Sequence, residues 1–208
     1  SGFTLHRIDF DPTTFLQTDL LWLPHHASLA SAGRKRRAEH LAGRIEAVHD
    51  LTELGEKNVP GIGENREPVW PAGLHGSITH CGTTALAVVA REPVGIDMET
   101  VFSVDMADEL AAGIVTKEEV QHLQESGLPF PLALTLVFSA KESLYKAFSP
   151  LTKAMPGFNS ARVTAIDAQQ ITLTCLADFS PQLAGTSLSI AWAQDHQQVI
   201  TLACASLH

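Results

Sequence analysis

Cysteine is scarce in this sequence, and its three copies, Cys81, Cys175 and Cys204, stand far apart. An odd number of cysteines without a C-x-x-C spacing argues against a disulfide framework and against a cysteine-bound metal. Such usage is typical of a reduced, intracellular compartment. We therefore expect a cytoplasmic protein.

Long apolar runs and basic residues are also few. No stretch is apolar over the length of a membrane span, and we recognise no signal peptide, so we expect no transmembrane segment. The 14 Lys and Arg residues face 23 Asp and Glu residues, which gives a net charge of −9. This acidic balance argues against a general nucleic-acid binder, and a polyanionic ligand would have to meet a local basic patch.

Hydrophobic periodicity and turn residues predict helices and strands in each half of the chain. We expect helices at 27–54 and 131–148, with a shorter helix that begins at a capping box formed by Thr116 and Glu119. Strands are predicted at 3–10, 74–79, 84–90, 94–99, 162–167, 171–176, 186–193 and 198–204. The pattern indicates an α+β fold with an N-terminal lobe over 1–103 and a C-terminal lobe over 104–208.

Two carboxylates end the strand predicted at 94–99. Asp97 and Glu99 stand two residues apart, so their side chains share one face of the strand. Like charges at that distance repel each other. A cation must neutralise them, or they must reach water, or one of them must hold a proton.

A polar stripe runs along the helix predicted at 131–148. Helical spacing places Thr135, Ser139, Glu142 and Lys146 on one side, and Glu142 with Lys146 forms an i,i+4 pair of favoured orientation. Taken alone, this stripe is better interpreted as a solvated helix face.

Three polar residues lie in the segment GSITHC. Ser77 and Thr79 share one face of a strand, and His80 stands at its end before a glycine turn. Taken alone, His80 is better interpreted as a packed or capping histidine. We interpret the adjacent Cys81 as structural, because neighbouring strand residues point to opposite faces.

A basic segment stands out against the acidic background. Five of the 14 Lys and Arg residues fall within residues 33–44, where Arg37 and Arg44 lie two turns apart on one helix face. Guanidinium groups suit phosphate because their donors are fixed in a planar fork.

The combination of these motifs is more specific than each motif alone. G-I-D-x-E at 95–99, F-S-x-K-E-x-x-x-K at 138–146 and S-I-T-H at 77–80 resemble the 4′-phosphopantetheinyl transferase superfamily. The resemblance is closer to the larger, two-lobed type that serves nonribosomal peptide and siderophore synthesis, and it covers most of residues 8–148. It implies two similar α+β subdomains in a pseudo-two-fold relation, each with helices packed on a small antiparallel sheet.

The resemblance implies a Mg²⁺-dependent transferase. Such enzymes move the phosphopantetheine arm of coenzyme A to a carrier-protein serine and release adenosine 3′,5′-bisphosphate. Asp97, Glu99 and Glu142 would hold the metal, with Glu142 arriving from the other lobe. Either Glu142 or Glu99 would act as the base. Lys146 would reach the pyrophosphate and Lys141 would assist it.

The remaining binding roles follow from charge and hydrogen-bonding capacity. Arg37 and Arg44, with Arg66 from the following loop, are the candidates for the phosphates of coenzyme A. The candidates for hydrogen bonds at the nucleotide are Ser77, Thr79 and His80.

The expected partners are apo aryl or peptidyl carrier domains of a siderophore synthetase. We expect the enzyme to be a monomer. We expect it in the cytoplasm or loosely held at the inner membrane by the synthetase assembly. Residues 102–120 are either a docking surface or an ordinary connecting helix pair. A patch for docking would comprise Phe102, Met106, Ile114, Val115 and Leu123. The alternatives to transfer are a coenzyme A-binding module or pseudo-enzyme, and a phosphohydrolase that would release free phosphopantetheine.

Overall fold

The computed structural model describes residues 5–11, 19, 23, 29, 33–53, 59–62, 67–153 and 156–205. The chain divides into two compact units, Ser1–Pro93 and Val94–His208. Each unit combines helix with antiparallel sheet, which confirms the predicted α+β class. The three cysteines are free thiols. Among the described residues, no helix has both the length and the apolar character needed to cross a membrane.

Among its described residues, the first unit contains one long helix and two small sheets. Strands β1, β5 and β4 form a sheet in the order β1-β5-β4, and β2 with β3 forms a two-stranded ribbon. Every residue of β5 is buried, as expected for the central strand of a sheet covered by a helix. The elements are β1 (Leu5–Asp9), α1 (Arg34–Glu53), β2 (Gly61–Ile62), β3 (Pro68–Val69), β4 (His75–Cys81) and β5 (Thr84–Ala90).

In the described part of the second unit, three α-helices pack with a five-stranded antiparallel sheet. The strand order is β6-β10-β9-β8-β7, so the first strand of the unit pairs with the last. Helix α4 lies against β6 and β10 and carries the centre of the apolar core. The elements are β6 (Val94–Thr100), α2 (Val104–Ile114), α3 (Lys117–Glu125), α4 (Phe130–Phe148), β7 (Ala161–Ile166), β8 (Gln170–Cys175), β9 (Ser187–Asp195) and β10 (Gln198–Cys204).

The unit to which β6 belongs does not agree with the lobe boundary that we predicted between residues 103 and 104. The boundary between the units lies at Pro93, because β6 pairs with β10 rather than with the strands that precede it. The register places Asp97 directly opposite Thr201. The strand that carries the two carboxylates therefore belongs entirely to the second unit.

Helix α3 begins as the sequence predicts. The Thr116 hydroxyl accepts a bond from the backbone N–H of Glu119 at 3.3 Å, and the Glu119 carboxylate accepts from the backbone N–H of Thr116 at 3.0 Å. This reciprocal pair is a capping box, and it satisfies two backbone donors that the helix cannot.

The apolar patch predicted over residues 102–123 is mostly core. Only Met106 is exposed; Phe102, Ile114, Val115 and Leu123 are buried in the cluster around α4. The sequence pattern correctly marks these residues as apolar, but the same periodicity serves the inward face of a helix and a docking face.

Gly95 sits where α4 and β6 approach most closely. A Cβ atom at this position would meet the backbone carbonyl oxygen of Ser143 and would lie 2.7 Å from the backbone nitrogen of Ala147. Both neighbours are main-chain atoms of α4 and cannot rotate away. The glycine of the G-I-D-x-E motif is therefore required by the packing of the helix on the strand.

We expect Gly95→Ala to destabilise the protein by about 1–3 kcal/mol or more, because overpacking must push α4 off β6. Gly113→Ala is the matched control. Gly113 is an exposed residue of α2 with nothing within 4 Å of a Cβ, so its substitution should stabilise by about 0.5–1 kcal/mol. Urea denaturation of both variants measures the two free energies, and equal effects would refute the packing role of Gly95.

Candidate active site

Both carboxylate oxygens of Asp97 are engaged. The Ser139 hydroxyl donates to Oδ2 at 2.8 Å, and the Lys146 ammonium lies 3.3 Å from Oδ1. Lys146 also donates to the backbone carbonyl of Ile96 at 3.0 Å. Two residues of α4, seven apart, thus fix one residue of β6.

Glu99 and Glu142 lie in the electrostatic neighbourhood of Asp97. Burial, the charge of Asp97 and a hydrogen bond to Asp97 together raise the pKa of Glu99 to about 8, while Lys146 acts in the opposite direction. Burial and the charge of Asp97 also raise the pKa of Glu142, whereas the charge of Lys146 acts to lower it. Three carboxylates therefore share the field of one ammonium group, and one of them holds a proton at neutral pH.

These three carboxylates belong to one unit. Asp97 and Glu99 come from β6, and Glu142 comes from α4, all within residues 94–208. The expectation that Glu142 arrives from a different lobe is corrected, because that expectation placed β6 in the N-terminal lobe.

The polar stripe of α4 turns inward rather than toward solvent. Thr135 and Ser139 are fully buried. The Thr135 hydroxyl donates to the carbonyl of Pro131 at 2.7 Å and accepts from the backbone N–H of Phe102 at 2.9 Å. The solvated-face interpretation was wrong for Thr135 and Ser139, because Phe102 and the β6 residue Asp97 supply polar partners to these two side chains.

Two further hydroxyls, which the sequence motifs do not indicate, join the cluster. Ser143 and Thr201 are both fully buried, and their oxygens are 2.6 Å apart. The Thr201 oxygen also lies 2.8 Å from that of Ser139. Ser143 stands one turn after Ser139, a spacing that could have suggested it, whereas a single Thr in a strand carries no signal.

Lys141 lies outside the carboxylate cluster. Its ammonium donates to the carbonyls of Ile114 and Phe158 and to the Glu119 carboxylate, each at 2.8 Å. Burial lowers the pKa of Lys141, and the pairing with Glu119 opposes this shift. Since three protons meet three acceptors, the structure gives Lys141 a structural role and leaves no donor for a phosphate.

A cleft of about 390 Å³ opens beside Glu142. Most of its wall is apolar or aromatic, which suits an elongated organic ligand with few charges. The lining residues are Lys141, Glu142, Tyr145, Pro156, Gly157, Phe158, Ser160, Ala161 and Phe179.

The donor set of the cluster fits a hard divalent cation. Three carboxylates offer oxygen ligands only, which favours Mg²⁺ over metals that prefer nitrogen or sulfur. Burial, and after it the charge of Asp97, raises the pKa of Glu99 and of Glu142, so a cation among these carboxylates would offset both effects. Within the described part of the chain, no three Asp, Glu, His or Cys side chains have the arrangement of a metal-binding group.

The basic residues predicted for phosphate lie in the first unit. Arg37 is half-buried on α1, and its Nε donates to the carbonyl of Leu29 at 3.1 Å. Arg44 is buried, and its guanidinium donates to the carbonyls of Pro60 at 3.4 Å and Gly61 at 3.0 Å. Burial lowers the pKa of Arg44 to about 10. Arg44 thus anchors the segment that follows α1.

The nucleotide candidates lie on β4. Ser77 and Thr79 are buried, while His80 is exposed and its Nδ1 lies 3.5 Å from the Glu39 carboxylate on α1. Of the three, His80 is the one open to a ligand. Arg66, the remaining phosphate candidate, lies outside the described residues.

The raised pKa of Glu99 predicts a pH-dependent stability. The folded protein holds this proton up to about pH 8, whereas the unfolded chain releases it near 4.5. The contribution to the free energy of unfolding is therefore fully present below pH 4.5 and is lost as the pH rises to about 8. Urea denaturation in EDTA should show wild type losing stability relative to Glu99→Gln over this interval. The exposed Glu125→Gln variant is the control, and parallel curves for wild type and Glu99→Gln would contradict the assignment.

Comparison with known proteins assigns the chain to a family. Residues 24–90 match the 4′-phosphopantetheinyl transferase N-terminal domain, and residues 93–203 match the 4′-phosphopantetheinyl transferase superfamily. The boundary between these matches falls where the structure divides.

Named relatives agree with these matches. Enterobactin synthase component D of Salmonella typhimurium is 56% identical over 205 residues, which cover 99% of this chain and 87% of that protein. Its Escherichia coli counterpart is 56% identical over 83% of each chain. The 4′-phosphopantetheinyl transferase PptT of Mycobacterium tuberculosis is 37% identical over 68% of this chain and 64% of its own. The chain belongs to the 4′-phosphopantetheinyl transferase superfamily and is an enzyme of that transferase class.

Proposed function

We propose that this enzyme transfers the 4′-phosphopantetheine arm of coenzyme A to a serine of apo aryl or peptidyl carrier domains in an enterobactin-type siderophore pathway. The observation that carries the proposal is the grouping of Asp97, Glu99 and Glu142 around Lys146 on β6 and α4. The likeness to enterobactin synthase component D supports the choice of pathway.

Asp97, Glu99 and Glu142 would hold Mg²⁺. When bound, the cation supplies positive charge that gathers the pyrophosphate oxygens and stabilises the charge that develops during phosphoryl transfer. Asp97 is already oriented before the cation binds, because Ser139 and Lys146 hold its two carboxylate oxygens from two sides.

The reaction requires a base that accepts the serine proton and positive charge near the leaving group. The serine oxygen of the carrier forms a bond to the β-phosphorus, while the bond from that phosphorus to the bridging oxygen breaks and adenosine 3′,5′-bisphosphate leaves. We assign the base to Glu142 rather than Glu99, because Glu142 is the carboxylate that lines the cleft. It accepts the serine proton, and Lys146 offsets charge on the pyrophosphate.

The cleft beside Glu142 suits the pantetheine arm. That arm is long, uncharged and partly apolar, and the cleft walls include Tyr145, Phe158 and Phe179. Burial of such a chain against aromatic side chains is favourable, and Glu142 at the wall would lie near the phosphate end of the arm.

The phosphates and the nucleotide require cationic and hydrogen-bonding groups. Arg37 is half-buried and Arg44 holds the following segment, so Arg37 is the residue of α1 that we assign to direct phosphate contact. We retain Arg66 as a second candidate. His80 is assigned to the nucleotide, because it is the exposed member of the S-I-T-H segment.

The carrier partner would meet an apolar surface on α2. Met106 is 48% exposed, and Leu110, one turn beyond it on the same side of α2, is 37% exposed. Exposed large apolar side chains grouped on one short helix are typical of a contact surface. This set replaces the patch that the sequence predicted, since most of that patch is buried.

The central test measures the mass of the acceptor. The enzyme is incubated with coenzyme A, Mg²⁺ and an apo siderophore carrier, and in parallel with an apo fatty-acid carrier. A gain of one phosphopantetheine, faster on the siderophore carrier, is the expected result. Loss of partners around a metal ligand costs about 10- to 100-fold, so Asp97→Asn and Glu142→Gln should lose more than that.

The Glu125→Gln variant removes an exposed carboxylate of α3 and should keep full activity. Thermal melts establish that each variant is folded. Retention of a mass gain by folded Asp97→Asn or Glu142→Gln would overturn the site assignment. Coenzyme A bound without any mass gain would favour a binding module, and release of free phosphopantetheine would favour a phosphohydrolase.

A second test concerns Arg37. If its guanidinium contacts the 3′-phosphate, Arg37→Ala should weaken coenzyme A binding by about 10-fold or more and leave dephospho-coenzyme A nearly unaffected, as expected for a lost charged hydrogen bond of about 1.5–3 kcal/mol. Arg36→Ala makes the same change at an exposed neighbour on α1. Calorimetric titration with both ligands measures the difference, and equal losses for the two ligands would exclude a 3′-phosphate contact.

A further inference from the structure

The three buried hydroxyls beside Asp97 form a connected set that joins two elements. Ser139 and Ser143 come from α4, one helical turn apart, and Thr201 comes from β10, directly opposite Asp97 in the register of the sheet. Residues opposite each other in an antiparallel pair point to the same face. The set is fully buried. The set therefore meets no bulk water, and the direction of each hydrogen bond within it depends on which hydroxyl supplies the proton.

The direction of each bond follows from counting those protons. Each hydroxyl donates once. The Ser139 proton goes to Asp97 Oδ2, since that carboxylate oxygen accepts it at 2.8 Å. The 2.8 Å contact between Ser139 and Thr201 must then use the Thr201 proton. The 2.6 Å contact between Thr201 and Ser143 must in turn use the Ser143 proton, whose other acceptor, the Thr201 carbonyl, lies farther away at 3.1 Å.

We propose that Thr201 is a positioning residue of the active site, the central link of a one-way hydroxyl relay from Ser143 through Thr201 and Ser139 to Asp97. Each donated bond polarises the next hydroxyl, so the donation that reaches Asp97 is stronger than Ser139 alone would provide. The relay holds Asp97 in one orientation, with Oδ1 directed to Lys146. Partners of this kind, one shell away from a metal ligand, set the orientation of that ligand and the affinity of the site.

The inference deepens the proposed function, because it takes Asp97 as a ligand of Mg²⁺. It also assigns a part of the site to β10, a strand that none of the sequence motifs includes. Without the Thr201 hydroxyl, Ser139 loses its donor and Ser143 loses its acceptor on the relay, and Asp97 is held by the lysine and a weaker serine bond.

The test uses three variants of the full chain. Thr201→Val keeps the shape of the side chain and removes the hydroxyl, while Thr201→Ser keeps the hydroxyl. Thr172→Val makes the same substitution on β8, on the sheet face opposite the buried Ile171 and Leu173. Mg²⁺ is titrated by calorimetry into each protein saturated with coenzyme A, and transfer rates are measured against Mg²⁺ and against coenzyme A.

We expect Thr201→Val to weaken Mg²⁺ binding by about 10-fold, toward the lower end of the range for such partners. The Mg²⁺ concentration for half-maximal rate should rise in parallel, with the KM for coenzyme A unchanged. Thr201→Ser should restore both quantities, and Thr172→Val should match wild type. A merely structural role of Thr201 would instead lower thermal stability and leave Mg²⁺ affinity intact in the folded fraction.

Unchanged Mg²⁺ affinity in folded Thr201→Val overturns the relay, as does failure of Thr201→Ser to restore it. The binding measurement does not depend on transfer. If wild type binds Mg²⁺ but modifies no carrier, the proposed function fails while the relay is still decided by the variants. If wild type with coenzyme A binds no Mg²⁺, the relay has no metal ligand to position and is refuted.

Discussion

The close packing of α4 on β6 is the constraint on which the candidate site depends. Gly95 leaves no side chain between the two elements, so the main chain of α4 lies directly against the strand. At that separation Ser139 and Lys146 both reach Asp97. Any increase in the spacing would lengthen both bonds together. The glycine of the motif thus belongs to the site as much as the carboxylates do, although it has no chemistry of its own.

The buried charges of the second unit occur in two different electrostatic environments. Lys141 and Glu119 compensate each other, and the remaining bonds of both side chains end on backbone groups, including the N–H of Val163. Around Lys146, three carboxylates face one ammonium group, and burial together with the charge of Asp97 raises the pKa of Glu99 and of Glu142. An uncompensated group of this kind costs stability, and proteins keep such groups where a ligand supplies the missing charge.

The local features of the fold were predictable because they depend on neighbouring residues. The strand at 84–90 follows from a short apolar run bounded by turn residues, and the capping box of α3 follows from a four-residue motif. The structure places β6 in the second unit rather than in the predicted N-terminal lobe, because strand pairing is a long-range property that periodicity does not encode. The roles of Lys141 and Thr201 were beyond the sequence for the same reason, since each depends on partners brought together from distant elements.

The pairing of β6 with β10 governs when the site can come into existence. Asp97 and Thr201 face each other although about a hundred residues separate them, and closing so long a loop is slow and entropically costly. A growing chain that has emerged only as far as α4 already carries Asp97 and Glu142, but it lacks the strand that fixes β6 in the sheet. Asp97 therefore cannot take its place opposite Thr201 until the ribosome has delivered β10.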